Sequence, residues 1–290
     1  MQTKIKIDGR TYSVKLLKKV AKPSDAVRLV IVSFQPNKNA SELCKASINA
    51  IKKFTQDEEY ELWVIDNNSP KENIKWLYEV EGINLVFNRT TPIPKEGRGF
   101  IKHITNVNKP FLWGSYANGI ALEIAAKLVD PDTGYFMPLH MDTMPCRDNW
   151  LKFLKSKIKG NIAASGVRYD NVRVKEGILH VLGYIIDFQL FKKYNLNFLP
   201  QLPDYDVGDL AIVNLKKQNH EIFACPNTLW QPELVENINN DDMKKIHVDR
   251  SFDDNGNIIF LHLGRGLFKS VDGQLYKTTL KEWIEFSRRI

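Results

Sequence analysis

Hydrophobic residues in this chain fall into short, nearly unbroken runs separated by stretches of helical spacing. The run VRLVIVSF at 27–34 is apolar at almost every position, the pattern of a strand covered on both faces. Residues 40–54 follow with Leu43, Ala46, Ala50, Ile51 and Phe54 near helical spacing, after Asn39 or Ser41 as candidate caps. YELWVID at 60–66 predicts a second buried strand, a short helix is expected around 71–80, and INLVFN at 83–88 predicts a third strand. Upstream, KIKIDGRTYSVKLL at 4–17 predicts two short strands around an Asp8-Gly9 turn.

Downstream, residues 89–113 break the rhythm with three prolines and two glycines and predict a long loop. A helix is expected over 114–129, with Ile120, Ile124 and Leu128 on one face, then a strand over 134–142 (GYFMPLHMD). A helix opening at Asp148-Asn149-Trp150 and running through Lys157, a strand at 162–169, a helix at 210–218 and a strand at 221–225 come next. The chain ends with a strand at 257–263 behind an Asn255-Gly256 turn, a basic glycine-containing loop and an amphipathic helix. Strand, helix, strand, helix, strand predicts an α/β domain with a doubly wound, mostly parallel sheet flanked by helices. The expected divisions are a hairpin extension (1–25), one large domain (26–270, halves 26–145 and 146–270) and a C-terminal helix (271–290).

Composition narrows the class. With 43% hydrophobic and 26% charged residues, 290 residues make an ordinary globular chain. No stretch approaches the roughly 18 apolar residues of a membrane span, and the N-terminus lacks the continuous apolar segment of a secretion signal. Cys44, Cys146 and Cys225 are an odd, widely spaced set, which speaks against a disulfide framework or a structural zinc site. The expectation is a cytoplasmic protein. A net charge of +7 favours an anionic partner. Its lysines are scattered and its best basic cluster is only Ser287-Arg288-Arg289, so no nucleic acid is expected. The last helix, with Trp283, Ile284 and Phe286 beside Lys281, Arg288 and Arg289, suits either docking on the core or a peripheral contact with the inner face of a membrane.

In an open α/β sheet, ligands sit beyond the carboxyl ends of the strands. That rule selects Ser33, Phe34 and Gln35, then Asp66 and Asn67, then Asn88, and finally His140 to Asp142. Neither G-x-G-x-x-G nor G-x-x-x-x-G-K-[ST] occurs. Asp66 can accept from a base N–H or a ribose hydroxyl, or simply cap its own turn. His140 and Asp142 alternate along an extended chain and so project to one side. Together they can hold Mn²⁺ or Mg²⁺ while diphosphate oxygens and water complete the shell. The acidic loop Asp204-Tyr205-Asp206-Val207-Gly208-Asp209 precedes a helix. Asp209 is either that helix's N-cap or a general base, whereas Asp206 is freer to face a substrate. His262, with Arg265 and Lys269 after it, forms one side of an anion site.

Taken in order, these segments resemble the family-2 glycosyltransferases of the GT-A fold, from about Val27 to about Lys269. VRLVIVSF and LWVIDNNSP are similar to that family's nucleotide-binding strands, which implies a base or ribose contact for Asp66. SYANGIALEIAAKL, in which Asn118 is expected to contact the nucleotide, and DTGYFMPLHMDTMP look like its helix and D-x-D strand. Asp142 then inherits the metal-binding role, and His140 stands where the first acid of the pattern would be. PDYDVGDLAIV resembles the segment that supplies the catalytic base, assigning it to Asp206 or Asp209. FLHLGRG looks like the C-terminal histidine segment, implying a metal or phosphate ligand in His262 and nucleotide contact by Arg265. The resemblance implies inverting transfer of a sugar from a nucleotide-diphosphate donor to a glycan or lipid-linked acceptor, in cell-surface polysaccharide or glycoconjugate synthesis. It also implies a divalent cation and lids at 89–113 and 264–275. The rivals are a sugar nucleotidyltransferase, whose glycine-rich basic loop SFQPNKNA lacks, and a non-catalytic binder on the same fold.

Overall fold

The structure, a computed structural model, describes residues 1–94, 110–264 and 278–290, with the backbone alone over 110–113. A hairpin opens the chain, β1 (Gln2–Ile7) and β2 (Arg10–Leu17), turning through Asp8 and Gly9 at φ 49° and 74°. Two consecutive positive φ angles are what a tight turn matched to strand twist requires, and Asp-Gly supplies them at low cost. Then come β3 (Val27–Ser33), α1 (Lys38–Phe54), β4 (Tyr60–Asn67), the short α2 (Lys71–Ile74) continued by a 3₁₀ turn, and β5 (Ile83–Asn88). The cap of α1 is Asn37, two residues before Asn39 and four before Ser41; its side chain accepts from the Ala40 amide. After α3 (Pro110–Leu128) follow β6 (Tyr135–His140), β7 (Thr143–Pro145), α4 (Trp150–Ser156), β8 (Ile162–Gly166), β9 (Tyr169–Asp170), β10 (Ile178–Leu179) and β11 (Tyr184–Asp187). The chain closes with α5 (Phe188–Lys193), α6 (Asp209–Lys217), β12 (Glu221–Ala224), α7 (Asp241–Lys245), β13 (Asp249–Phe252), β14 (Ile258–His262) and α8 (Leu280–Arg289).

Nine strands form one sheet in the order β1-β2-β5-β4-β3-β6-β11-β8-β12. Only β2 and β11 run against the others, so the sheet is mostly parallel, and helices cover both faces. The hairpin is continuous with this sheet through β2, which pairs with β5. Alternation along each central strand feeds two cores. Leu29, Ile31, Leu62 and Val64 pack with Leu43, Ile48 and Ile51 of α1. Val30, Trp63 and Ile65 pack on the other face with Ile120, Ala121 and Ile124 of α3. The one charge within the first run, Arg28, is fully buried; it donates to the carbonyls of Pro23 and Ala26 and lies 3.6 Å from Glu61.

From β3 the chain adds β4 and β5 on one side, then returns to place β6 on the other. The reversal at β3 leaves a crevice above the carboxyl ends of β3 and β6, the place where open sheets take ligands. A second, three-stranded sheet, β13-β14-β7, stands beside that crevice. Three local expectations change. α3 starts at Pro110 rather than Gly114. The strand expected to 142 ends at His140, and Met141-Asp142 form a turn. β13 falls where no strand was expected, because Asp249-Arg250-Ser251 conceal its alternation. The lid segments fall largely outside the described residues, and Arg265 and Lys269 fall wholly outside them.

Candidate active site

The parallel registers bring the strand ends to one edge: Ser33 lies opposite Asp66, Asn67 opposite Asn88, and Val32 opposite His140. Their side chains divide into two groups. Ser33 and Gln35 are fully buried and bond to each other, Gln35 Nε2 donating to Ser33 Oγ. Gln35 Oε1 also accepts from Trp76 Nε1. Asn88 donates to Asn67, which donates to the Ala117 carbonyl. These four amide and hydroxyl side chains tie the strand ends together instead of facing the crevice. Phe34, 41% exposed, is the one of its trio that presents its side chain to solvent.

Asp66 is enclosed. Its Oδ2 accepts from the Ser69 amide at 3.3 Å and lies 3.9 Å from Arg89. Its Oδ1 is buried and makes no hydrogen bond among the described residues. Burial raises its pKa, outweighing the Ser69 hydrogen bonds and the Arg89 charge. A buried carboxylate oxygen without a donor is costly, and a base N–H or a ribose hydroxyl is the kind of group that would satisfy it.

His140, Asp142 and His262 converge, with ligand atoms all within 4.8 Å of one another. The turn after β6 achieves this rather than strand alternation. Thr143 Oγ1 donates to the His140 carbonyl at 2.7 Å, and the chain folds back into β7. β14 then pairs with β7, setting His262 opposite Thr143, and the Leu263 amide donates to the Asp142 carbonyl. His140 Nδ1 lies 3.9 Å from Asp142 Oδ1, and His262 Nε2 lies 3.7 Å from Asp142 Oδ2. Behind each imidazole stands a polar partner. Asn118 lies 3.1 Å from His140 Nε2, and Asp249 Oδ2 lies 3.0 Å from His262 Nδ1. Burial holds the His140 pKa at about 4, winning over the neighbouring Asp142 charge, so the ring is neutral at neutral pH.

Four charged or titratable neighbours were not expected from the sequence. Arg168 donates to Asp249 at 3.2 Å, and His180 packs edge-on to His140 at 6.1 Å between ring centres. Burial pushes Asp249 upward, but the His262 hydrogen bond and the Arg168 charge prevail and hold its pKa low. Arg173 chelates Asp209 through both terminal nitrogens. The rule of strand ends would have found Arg168, which follows the apolar run into Gly166; Asp249 carried no comparable signal.

In the acidic loop the two aspartates differ. Asp209 is 1% exposed and is the first residue of α6, not its cap; Gly208, at φ 78°, holds the cap position. Asp209 Oδ2 accepts from the Asp206 amide at 2.7 Å. Burial raises the Asp209 pKa despite the Arg173 pairing. The Asp206 carboxylate is half-buried and accepts from the next amide, Val207, at 2.6 Å.

No family model and no curated protein matches the chain. Among solved structures it is similar to the galactosyltransferase LgtC in complex with donor and acceptor sugar analogues, at 12% identity and TM-score 0.42, over 68% of this chain and 73% of that one. It is also similar to 4-diphosphocytidyl-2C-methyl-D-erythritol synthase from Anaerococcus prevotii, at 9% identity and TM-score 0.42, over 70% and 89%. Mouse xyloside xylosyltransferase 1 follows at 10% identity and TM-score 0.39, over 69% and 84%. Likeness at this level carries no weight for function.

Proposed function

We propose that the chain is a metal-dependent glycosyltransferase that uses a nucleotide-diphosphate sugar. The observation that supports it best is the His140-Asp142-His262 cluster at the reversal of the sheet, on the same strand-end edge as a buried carboxylate, Asp66, whose Oδ1 makes no hydrogen bond among the described residues. In this reading residues 26–145 bind the nucleotide and 146–270 receive the acceptor, a glycan or a lipid-linked sugar. Asp66 takes the base or ribose, with Phe34 beside it, while Ser33, Gln35, Asn67 and Asn88 brace the edge.

The donor set fits a divalent cation: two imidazoles and one carboxylate whose ligand atoms lie within 4.8 Å of one another. His140, Asp142 and His262 would hold Mn²⁺ or Mg²⁺, and such an ion supplies positive charge against a departing diphosphate. Arg265 and Lys269 would add to that charge. Asp206 takes the proton of the acceptor hydroxyl as it attacks the anomeric carbon. The nucleoside diphosphate leaves from the opposite side, which inverts the configuration. Asp209, clasped by Arg173, fixes the Asp206 backbone instead of meeting the acceptor.

A thermal-shift panel of nucleoside diphosphates and their sugars, with and without Mn²⁺, tests this reading. Ligand at about 100 times its Kd stabilises by about 2.7 kcal/mol, and the shift should require metal and vanish in Asp142→Asn. A panel in which no nucleoside diphosphate moves the midpoint would overturn the assignment.

A further inference from the structure

We propose that the outer face of the N-terminal hairpin is a docking surface for a polyanionic glycan, a linear polysaccharide with repeated carboxylate, sulfate or phosphate groups. This surface lies outside the site described above, and glycan binding to it does not depend on the proposed transfer.

Charge is concentrated in the hairpin. Of the chain's 41 basic and 34 acidic residues, residues 1–22 hold seven and one, so six of the seven units of net positive charge fall there. Scattered as they are in sequence, these lysines are gathered by strand pairing. Alternation turns Ile5, Ile7, Tyr12 and Val14 into the core beneath α3. The alternate set faces away from α3. Lys4 and Lys6 are exposed on β1, roughly 7 Å apart, opposite the exposed Ser13 and Thr11 of β2. Gln2 stands opposite Lys15, whose ammonium lies 5.9 Å from the ring centre of Tyr78.

The neighbouring lysines are already engaged. Lys18 pairs with Asp130 at 3.0 Å and Lys22 with Glu59 at 2.7 Å, while Lys19 donates to the carbonyls of Tyr78 and Val80. Lys4, Lys6 and Lys15 pair with no carboxylate among the described residues. The one acid of the hairpin, Asp8, accepts from the Tyr116 hydroxyl at 2.9 Å. The basic face also continues inward. Phe87 stands opposite Lys15, and Arg89 lies over the Phe87 ring at 4.8 Å. The Arg89 amide donates to the Ser13 carbonyl at 2.9 Å, and its guanidinium lies 3.9 Å from Asp66. Positive charge thus runs from the outermost strand of the sheet to the crevice.

The chemistry of the face selects its occupant. A membrane-binding surface sets apolar side chains beside its lysines for insertion. A single-strand reader interleaves basic residues with aromatic platforms for stacking. Here the residues among the lysines are Gln2, Thr11 and Ser13. Met1 and Tyr78, both exposed, stand only at the border. Amide and hydroxyl groups between fixed cations match a polymer of hydroxyls and anions, and a two-stranded ribbon meets an extended chain without a pocket. Lysines also guard an outer strand against pairing with another chain, and that role alone predicts a different outcome.

Dextran sulfate is the probe, titrated calorimetrically into the full chain at about 0.15 M salt. Neutral dextran of equal length, a single-stranded oligonucleotide and phosphatidylserine vesicles are its rivals. Log affinity for dextran sulfate should fall linearly with log salt, and neutral dextran should not bind. Bound dextran sulfate should protect Lys4, Lys6 and Lys15 of the wild type from acetylation. The variant Lys4→Gln, Lys6→Gln, Lys15→Gln should bind about 10–100-fold more weakly. A control with the same change in charge, Lys217→Gln, Lys245→Gln, Lys281→Gln, alters exposed residues of α6, α7 and α8 and should keep wild-type affinity. Equal losses in the two variants would reduce the effect to net charge and overturn the proposal. So would tighter binding of the oligonucleotide or the vesicles. Self-association of the hairpin variant with its glycan affinity intact would mark the lysines as an edge guard and overturn it too. The wild-type acetylation pattern decides the matter even if a variant fails to fold, since absent protection rejects the site. Glycan binding with no nucleotide-dependent thermal shift would sink the transferase reading alone. Nucleotide shifts without glycan binding would sink this one alone.

Discussion

Asp209 shares its carboxylate between the Arg173 guanidinium and the Asp206 amide, while among the described residues the Asp206 carboxylate accepts only from the amide of Val207. A fully occupied, buried carboxylate is poorly placed to receive a substrate proton, so the two substitutions should separate. Asp206→Asn should lower kcat by about 10²–10⁴-fold with nucleotide binding retained, as read by steady-state kinetics and thermal shift. Asp209→Asn should instead cost about 2 kcal/mol of stability, measured by urea unfolding. Equal losses of kcat with unchanged stability in both would reject this division. A third buried acid offers a pH test. Glu123, 9% exposed, accepts from the Phe198 amide at 2.8 Å, yet burial raises its pKa. For such a group the folded state binds more protons between the unfolded and folded pKa values, so stability falls as pH rises through that window. Glu123→Gln keeps an acceptor for Phe198 and removes the charge. Its thermal midpoint should exceed that of the wild type at pH 7 and should match it more closely near pH 4.

Among the elements, α8 shows how an amphipathic pattern is resolved. Leu280, Trp283 and Phe286 are buried in the core shared with α1, while Arg288 pairs with Glu42 at 3.6 Å and Arg289 with Asp242 at 3.8 Å. Its apolar face is therefore engaged by the protein. Trp283→Ala should cost about 3–5 kcal/mol in denaturant unfolding, and wild-type protein should not co-sediment with anionic vesicles. The central strands were legible because β-branched runs buried on both faces have no other comfortable place. Residue pairs such as Asp249 with His262, or Arg173 with Asp209, were not legible. Each joins positions whose neighbourhood depends on sheet register, and a lone charged residue in a chain gives no sign of its partner. The same holds for Asn67 and Asn88: their place at the strand ends was readable, their bond to each other was not. His140 and Asp142 were found by spacing, although a turn, and not strand alternation, brings them together.

At the scale of the whole molecule, no described helix is long and apolar enough to cross a membrane. The candidate site draws on distant parts of the chain: Asp66, then His140 and Asp142 at the ends of the nine-stranded sheet, then Asp249 and His262 on the three-stranded one. β7 and β14, which pair Met144 with Leu261, lie more than a hundred residues apart. Closing so long a loop is entropically costly and delays the pairing relative to local contacts. The cluster can therefore form only once β7 and β14 have paired. A cation held there becomes a clock for folding as much as a part of chemistry. When denatured chain is diluted into Co²⁺, helix signal should recover first and the visible band last, with the rate of the slowest step. A band that rose together with the helix signal would mean that β7 and β14 meet early, ahead of the sheet on which they rest.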